Sequence, residues 1–145
     1  MDETTMTEKQ ATARIEQLIQ DTVAVLDPKP RLEIIESMSQ PGSCVDPTDQ
    51  GSPDRTVVSH SYWMRDIPRS RNGDIGQQAK RYWESKGYKI TKFDGLNTNE
   101  PNINGYTQSD EFLFSIETNV DGDLNIGATS PCIWPNGTPE PSSGT

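Results

Sequence analysis

The feature that most constrains the fold is a turn, Asp121-Gly122, set between two segments of alternating polarity. Apolar side chains recur at every second position within 112–118 and again within 124–128, which is the period of a half-buried β-strand. Asp and Gly both tolerate positive φ, so this dipeptide favours the tight turn of a two-stranded hairpin. The sequence therefore predicts an antiparallel hairpin over 112–128.

A first helix is predicted over 7–26. Thr7 and Gln10 have the spacing of a capping box, with Thr5 as an alternative start, and Asp27-Pro28 ends the helix. The apolar side chains recur at spacings of three and four, which places them on one face: Ile15, Leu18, Ile19, Val23 and Leu26.

The remaining segments predict an α+β domain. Alternating polarity indicates strands over 32–38 and 56–64, and a further β segment begins at Tyr88. A second, shorter helix ends at Gly87, and its apolar stripe consists of Ile75, Ala79, Tyr82 and Trp83. The Asn-rich stretch 97–106 is predicted to be a polar excursion. The order α-β-β-α-β-β-β predicts a mainly antiparallel sheet of about five strands with both helices on one face.

Length and charge limit the class of protein. A chain of 145 residues can bury one hydrophobic core, so residues 1–134 are predicted to form a single domain and the Pro/Ser/Gly-rich residues 135–145 a disordered tail. The 13 basic and 22 acidic side chains give a net charge of −9, which disfavours binding to nucleic acid and to anionic membrane surfaces. No segment has the ~20 apolar residues of a membrane-spanning helix.

The two cysteines, Cys44 and Cys132, lie in turn-rich segments. An even cysteine count in such a setting favours a disulfide and therefore an oxidising compartment. A disulfide between Cys44 and Cys132 would close a long loop of the chain, and in the entropic model this would stabilise the fold by roughly 4–5 kcal/mol. Residues 1–5 have neither the basic nor the apolar region of an export signal, so we expect the chain to be a mature form whose signal has been removed.

No catalytic or metal-binding constellation is evident. His60 is the only histidine, and the neighbouring Ser59 and Ser61 point to the opposite face of a strand, so we interpret it as a strand histidine with a polar partner. The segment 119–125 carries oxygen side chains at alternate positions, but its glycine and acids do not match a calcium loop, and a hairpin turn is predicted. We expect no metal ion and no cofactor.

Aromatic and amide side chains are the candidate binding groups. Tyr82 and Trp83 lie on the inner stripe of the second helix and are predicted to be core residues. Trp63 and Trp134 are candidates for exposed anchors, and Asn102 in the Asn-rich stretch is a third candidate.

Two segments resemble a known family. The residues 81–88, Arg-Tyr-Trp-Glu-Ser-Lys-Gly-Tyr, the late hairpin, and the residues 127–135, Gly-Ala-Thr-Ser-Pro-Cys-Ile-Trp-Pro, resemble the mature domains of small secreted lipoproteins of actinobacteria. The resemblance extends from the first helix to the second cysteine. It implies export, a lipid anchor on a cysteine that would precede Met1, and a disulfide; the family has no assigned activity.

Three functional hypotheses follow. The leading one is a non-catalytic, extracytoplasmic domain that binds a protein or peptide at the cell envelope, through the open face of the sheet or through 97–106. The alternative is an immunity-type inhibitor whose excess acid neutralises a basic toxin such as a nuclease. The third is an enzyme that uses His60.

Overall fold

In a computed structural model, the residues described are 6–39, 41–43 and 55–134. They form two layers, a six-stranded antiparallel sheet and two helices packed on one of its faces. This architecture confirms the predicted α+β class, with one strand more than expected. Cys44 and the tail 135–145 lie outside the described residues, so the predictions made for them stay predictions.

The two helices are α1 (Glu8–Val23) and α2 (Asn72–Ser85). The predicted capping box is confirmed, because Thr7 Oγ1 accepts the Gln10 N–H at 3.0 Å while Gln10 Oε1 accepts the Thr7 N–H at 2.8 Å. Gly87 has a φ of 80° just beyond α2, as predicted for a helix C-terminus. Within the described residues, neither helix is long and apolar enough to cross a membrane.

The strands of the described residues pair throughout in the antiparallel sense. The large sheet has the order β1-β4-β8-β7-β6-β5, while β2 and β3 form a separate pair. The strands are β1 (Arg31–Ile34), β2 (Gly42–Ser43), β3 (Thr56–Val57), β4 (Ser59–Arg65), β5 (Lys89–Asp94), β6 (Asn102–Tyr106), β7 (Leu113–Thr118) and β8 (Leu124–Thr129).

Two predicted strands are shorter or divided. The strand predicted over 32–38 ends at Ile34, because Glu36–Met38 forms a single 3-10 turn whose side chains are exposed. The strand predicted over 56–64 divides at Val58 into β3 and β4. Val58 donates its N–H to a serine hydroxyl just beyond β8, at 2.9 Å, instead of to a strand carbonyl.

The polar excursion predicted over 97–106 is wrong in its second half, which forms β6. Ile103 is completely buried in this strand. A Cβ at Gly105 would lie 2.4 Å from Lys89 O and 2.7 Å from the Phe114 ring, so only glycine lets β5 and that ring come so close. Asn and Gly are poor strand formers, and tertiary packing overrides that preference here.

Trp83 lies at the centre of the core and is 1% exposed. Its ring centroid is 4.3 Å from that of Phe114 on β7. Its Nε1 donates to Thr22 Oγ1 of α1 at 2.8 Å, and that hydroxyl donates to Leu18 O at 2.7 Å. Trp83 therefore joins both helices to the sheet and is a core residue as predicted, whereas Tyr82 is only partly buried at the core margin.

We predict that Thr22→Val destabilises the fold by about 1–3 kcal/mol, because the buried indole N–H of Trp83 loses the acceptor it has among the described residues while the side-chain volume hardly changes. Thr22→Ser keeps the hydroxyl and should cost less. Urea unfolding followed by circular dichroism measures both variants. Equal stability of Thr22→Val and the wild type would contradict the role given to this hydrogen bond.

Candidate ligand-binding face

One face of the sheet is covered by α1 and α2, and no described helix covers the other, which we call the open face. Alternation along β7 shows the division. Phe114 and Ile116 point into the core and are at most 5% exposed, whereas Leu113, Ser115 and Glu117 point the other way. The period-two pattern that predicted this hairpin therefore also separates the two faces.

A concave cavity of about 370 Å³ lies on the open face, above the middle strands. Glu117 is the only charged residue among the described residues that line it. The other side chains that line it are hydroxyl groups, an amide and apolar groups: Ser59, Ser61, Thr91, Asn104, Ser115, Thr129, Met38, Leu113, Phe114 and Ala128.

Three of these polar side chains form a row across four strands. Ser61 of β4 is opposite Gly127 of β8, which is opposite Ser115 of β7, which is opposite Asn104 of β6. The side chains of Ser61, Ser115 and Asn104 make no hydrogen bond to another described residue. Hydroxyl and amide groups can donate and accept, so this row can satisfy both kinds of group on a ligand.

Gly127 keeps the floor of the cavity low. A Cβ there would lie 2.5 Å from Ser61 Oγ and 3.3 Å from His60 O, so any side chain would displace its neighbours. The Ser61 hydroxyl occupies the space that a side chain at Gly127 would need. The concavity of the open face depends in part on this glycine.

Exposed apolar groups border the row. Met38, on the turn after β1, is 50% exposed, and Leu113 at the start of β7 is 55% exposed. Large exposed aliphatic groups beside a polar cavity are the kind of surface on which ligands bury apolar area.

Trp63 lies on the open face but does not line the cavity. It is half-buried, opposite Asn125, and the Arg65 guanidinium lies 5.2 Å from its ring centroid. Arg65 also binds Glu33, with Nη2 and Oε2 2.8 Å apart. Trp63 is thus placed beside the cavity with one ring face already occupied.

The other two candidate residues have structural contacts. Trp134 is 3% exposed, so the suggestion that it is an exposed anchor is wrong: its side chain is buried. Asn102 begins β6, where its Nδ2 donates to Asp94 Oδ1 at 3.2 Å and its Oδ1 accepts the Thr118 N–H at 3.2 Å. Asn102 therefore connects neighbouring strands, on the margin of the open face.

His60 has the polar partner predicted for it. Its Nδ1 lies 2.7 Å from Glu16 Oε2 of α1, and the Tyr62 hydroxyl donates to the same oxygen at 2.7 Å. Ser59 and Ser61 lie on the opposite side of the sheet, lining the cavity. The imidazole and the two hydroxyl groups thus occupy different faces.

The predicted hairpin turn between β7 and β8 is confirmed. Asn119 Oδ1 accepts the N–H groups of Asp121 and Asp123 at 2.9 and 2.8 Å, and Gly122 has a φ of 84°. No group of three or more His, Cys, Asp or Glu side chains able to hold a metal occurs in the described part of the chain.

The predicted disulfide joins a described residue to one outside the described range. Cys132 follows β8, and the described residues include no free cysteine. Because Cys44 is not described, its pairing with Cys132 stays a prediction.

Comparison with known protein families, with curated proteins and with solved structures gives no match for this chain. The sequence signals also missed the residues of the cavity. Ser61, Ser115 and Asn104 are ordinary polar residues at alternating strand positions, and only the strand order places them in one row.

The Tyr62 hydroxyl gives a pH-dependent test of the contact between α1 and β4. The pKa of Tyr62 is raised to about 12. The largest cause is burial of the hydroxyl, followed by its hydrogen bond to Glu16 and by the negative charge of Glu16. An unfolded tyrosine has a pKa of about 10, so this stabilisation is complete below about pH 10 and is lost as the pH rises towards the folded value.

We therefore predict that the free energy of unfolding of Tyr62→Phe falls less steeply above about pH 10 than that of the wild type. Urea unfolding at a series of alkaline pH values measures the difference. If both proteins lose stability in parallel, ionisation of Tyr62 does not contribute.

Proposed function

We propose that this protein is a non-catalytic binding domain of the cell envelope, and that its open face binds a peptide or an exposed segment of another protein. The observation that carries the proposal is the row of Ser61, Ser115 and Asn104, whose side chains lack partners among the described residues, beside the exposed side chains of Met38 and Leu113. Such a surface offers hydrogen bonds and apolar contact together, as peptide-binding sites do.

The arrangement of charges gives less support to an acidic inhibitor. Carboxylates on several elements are paired with basic groups of the same chain, as in Arg14 with Asp110 at 3.0 Å, Arg71 with Asp74 at 2.8 Å and Lys80 with Glu84 at 3.0 Å. A toxin-neutralising surface would favour a concentrated set of unpaired acids, because opposite potentials steer and fix such complexes.

The position of His60 likewise gives less support to an enzyme. A histidine acting on a nucleophile must reach it within hydrogen-bonding distance. The serines beside His60 lie on the other side of the sheet, and its Nδ1 is engaged by Glu16. We therefore propose no catalytic residue.

An extracytoplasmic location completes the proposal. Its support is the pair of cysteines in turn-rich segments and the resemblance to secreted actinobacterial lipoproteins. In this proposal Cys44 and Cys132 form a disulfide that fixes the chain just beyond β8. The open face would then be presented to partners outside the cytoplasm.

Blocking the cavity tests the binding function. Random linear peptides displayed on phage are selected on the immobilised wild-type protein, and the enriched peptides are synthesised. We predict that Ser115→Arg weakens the binding of these peptides at least tenfold, because the long arginine side chain fills the cavity. A tenfold loss corresponds to about 1.4 kcal/mol of binding free energy.

Gln20→Arg is the matched control, since it adds the same side chain at an exposed position of α1. It should bind the peptides as the wild type does. Isothermal titration calorimetry measures the affinities, and thermal unfolding verifies that both variants are folded. Peptides that bind Ser115→Arg and the wild type equally would refute the open face as the binding surface.

A further inference from the structure

Three side chains on β7 indicate which peptides the open face would bind. This inference rests on the proposed binding function. Leu113, Ser115 and Glu117 project from the open face at every second residue, and all three line the cavity. Successive side chains on one face of a strand are about 6.6–6.8 Å apart. An extended peptide has the same repeat, so one lying along β7 would place alternate side chains opposite these three residues.

The charge of the cavity indicates which side chain the peptide brings. Glu117 is exposed and makes no ion pair with a described residue. Of the described residues that line the cavity, it alone is charged. A carboxylate in this position favours a cationic group and disfavours phosphate or carboxylate ligands. Leu113 lies four residues before Glu117 on the same face of β7 and is 55% exposed. It favours an apolar side chain on the ligand.

The same lining argues against a sugar as the ligand. Sugar rings commonly pack an apolar C–H face on an aromatic ring, which offers a large hydrophobic surface with a negative face. Phe114 is the aromatic residue of the lining, and its ring packs against Trp83 in the core, 4.3 Å between centroids. Trp63 lies outside the lining with Arg65 over its ring.

We propose that the open face binds an extended peptide segment that carries an aliphatic residue and, four positions away, a lysine or arginine. The aliphatic side chain contacts Leu113, the cationic group pairs with Glu117, and a small polar residue midway faces Ser115. The backbone of the peptide crosses the polar row above Ser115 and Gly127, where it bonds to the Ser61 and Ser115 hydroxyl groups.

A charge-reversal experiment tests this assignment. The displayed random library is selected in parallel on the wild type and on Glu117→Lys. We expect the wild type to enrich peptides with Lys or Arg four positions from an aliphatic residue, and Glu117→Lys to enrich Asp or Glu in its place. For a synthetic pair differing only in Lys or Glu at that position, each protein should prefer its own peptide by about fivefold, the upper range for an exposed ion pair.

Asp21→Lys, on the exposed side of α1, changes the net charge equally and should keep the wild-type preference. Enriched peptides that lack the basic residue, or an equal preference of both proteins, would overturn the assignment. If those peptides were still blocked by Ser115→Arg, the proposed binding function would stand while the ligand assignment fell. Peptides unaffected by Ser115→Arg would overturn both.

Discussion

The packing of Trp83 is the interaction on which the arrangement of the molecule depends. Its ring contacts Phe114 in the middle of the sheet, and its N–H is satisfied by Thr22 of α1. A buried indole without an acceptor would cost the fold a hydrogen bond, so this residue fixes the position of α2 relative to α1 as well as to the sheet. Both helices are thereby held on the same side, and the opposite side of the sheet is left uncovered by them.

The open face follows from this one-sided packing. On the core side, Gly105 allows β5 and the Phe114 ring to come close together; on the open side, the Ser61 hydroxyl occupies the space that a side chain at Gly127 would need. A sheet with one solvated face normally presents alternating polar side chains there, and this one does. What distinguishes it is that polar groups in one row lack partners among the described residues while Leu113 is exposed beside them.

The sequence was informative where periodicity and local chemistry act together. Thr7 and Gln10 predicted the start of α1, and Asp121-Gly122 predicted the last hairpin, because capping and turn bonds are made within a few residues. The strand β6 was missed, since its Asn and Gly residues are tolerated only through contacts with distant strands. The cavity was missed for the same reason: its row is assembled from four strands whose order the alternation of polarity does not encode.

The most direct measurement is the location of peptide binding on the folded protein. Uniformly ¹⁵N-labelled protein is titrated with a peptide selected from the random library, and the backbone amide shifts are followed by NMR. Binding at the open face predicts the largest shift changes at Ser61, Ser115 and Gly127, with α1 and α2 little affected. Changes concentrated on the helices, or along the edge strand β5 alone, would contradict it.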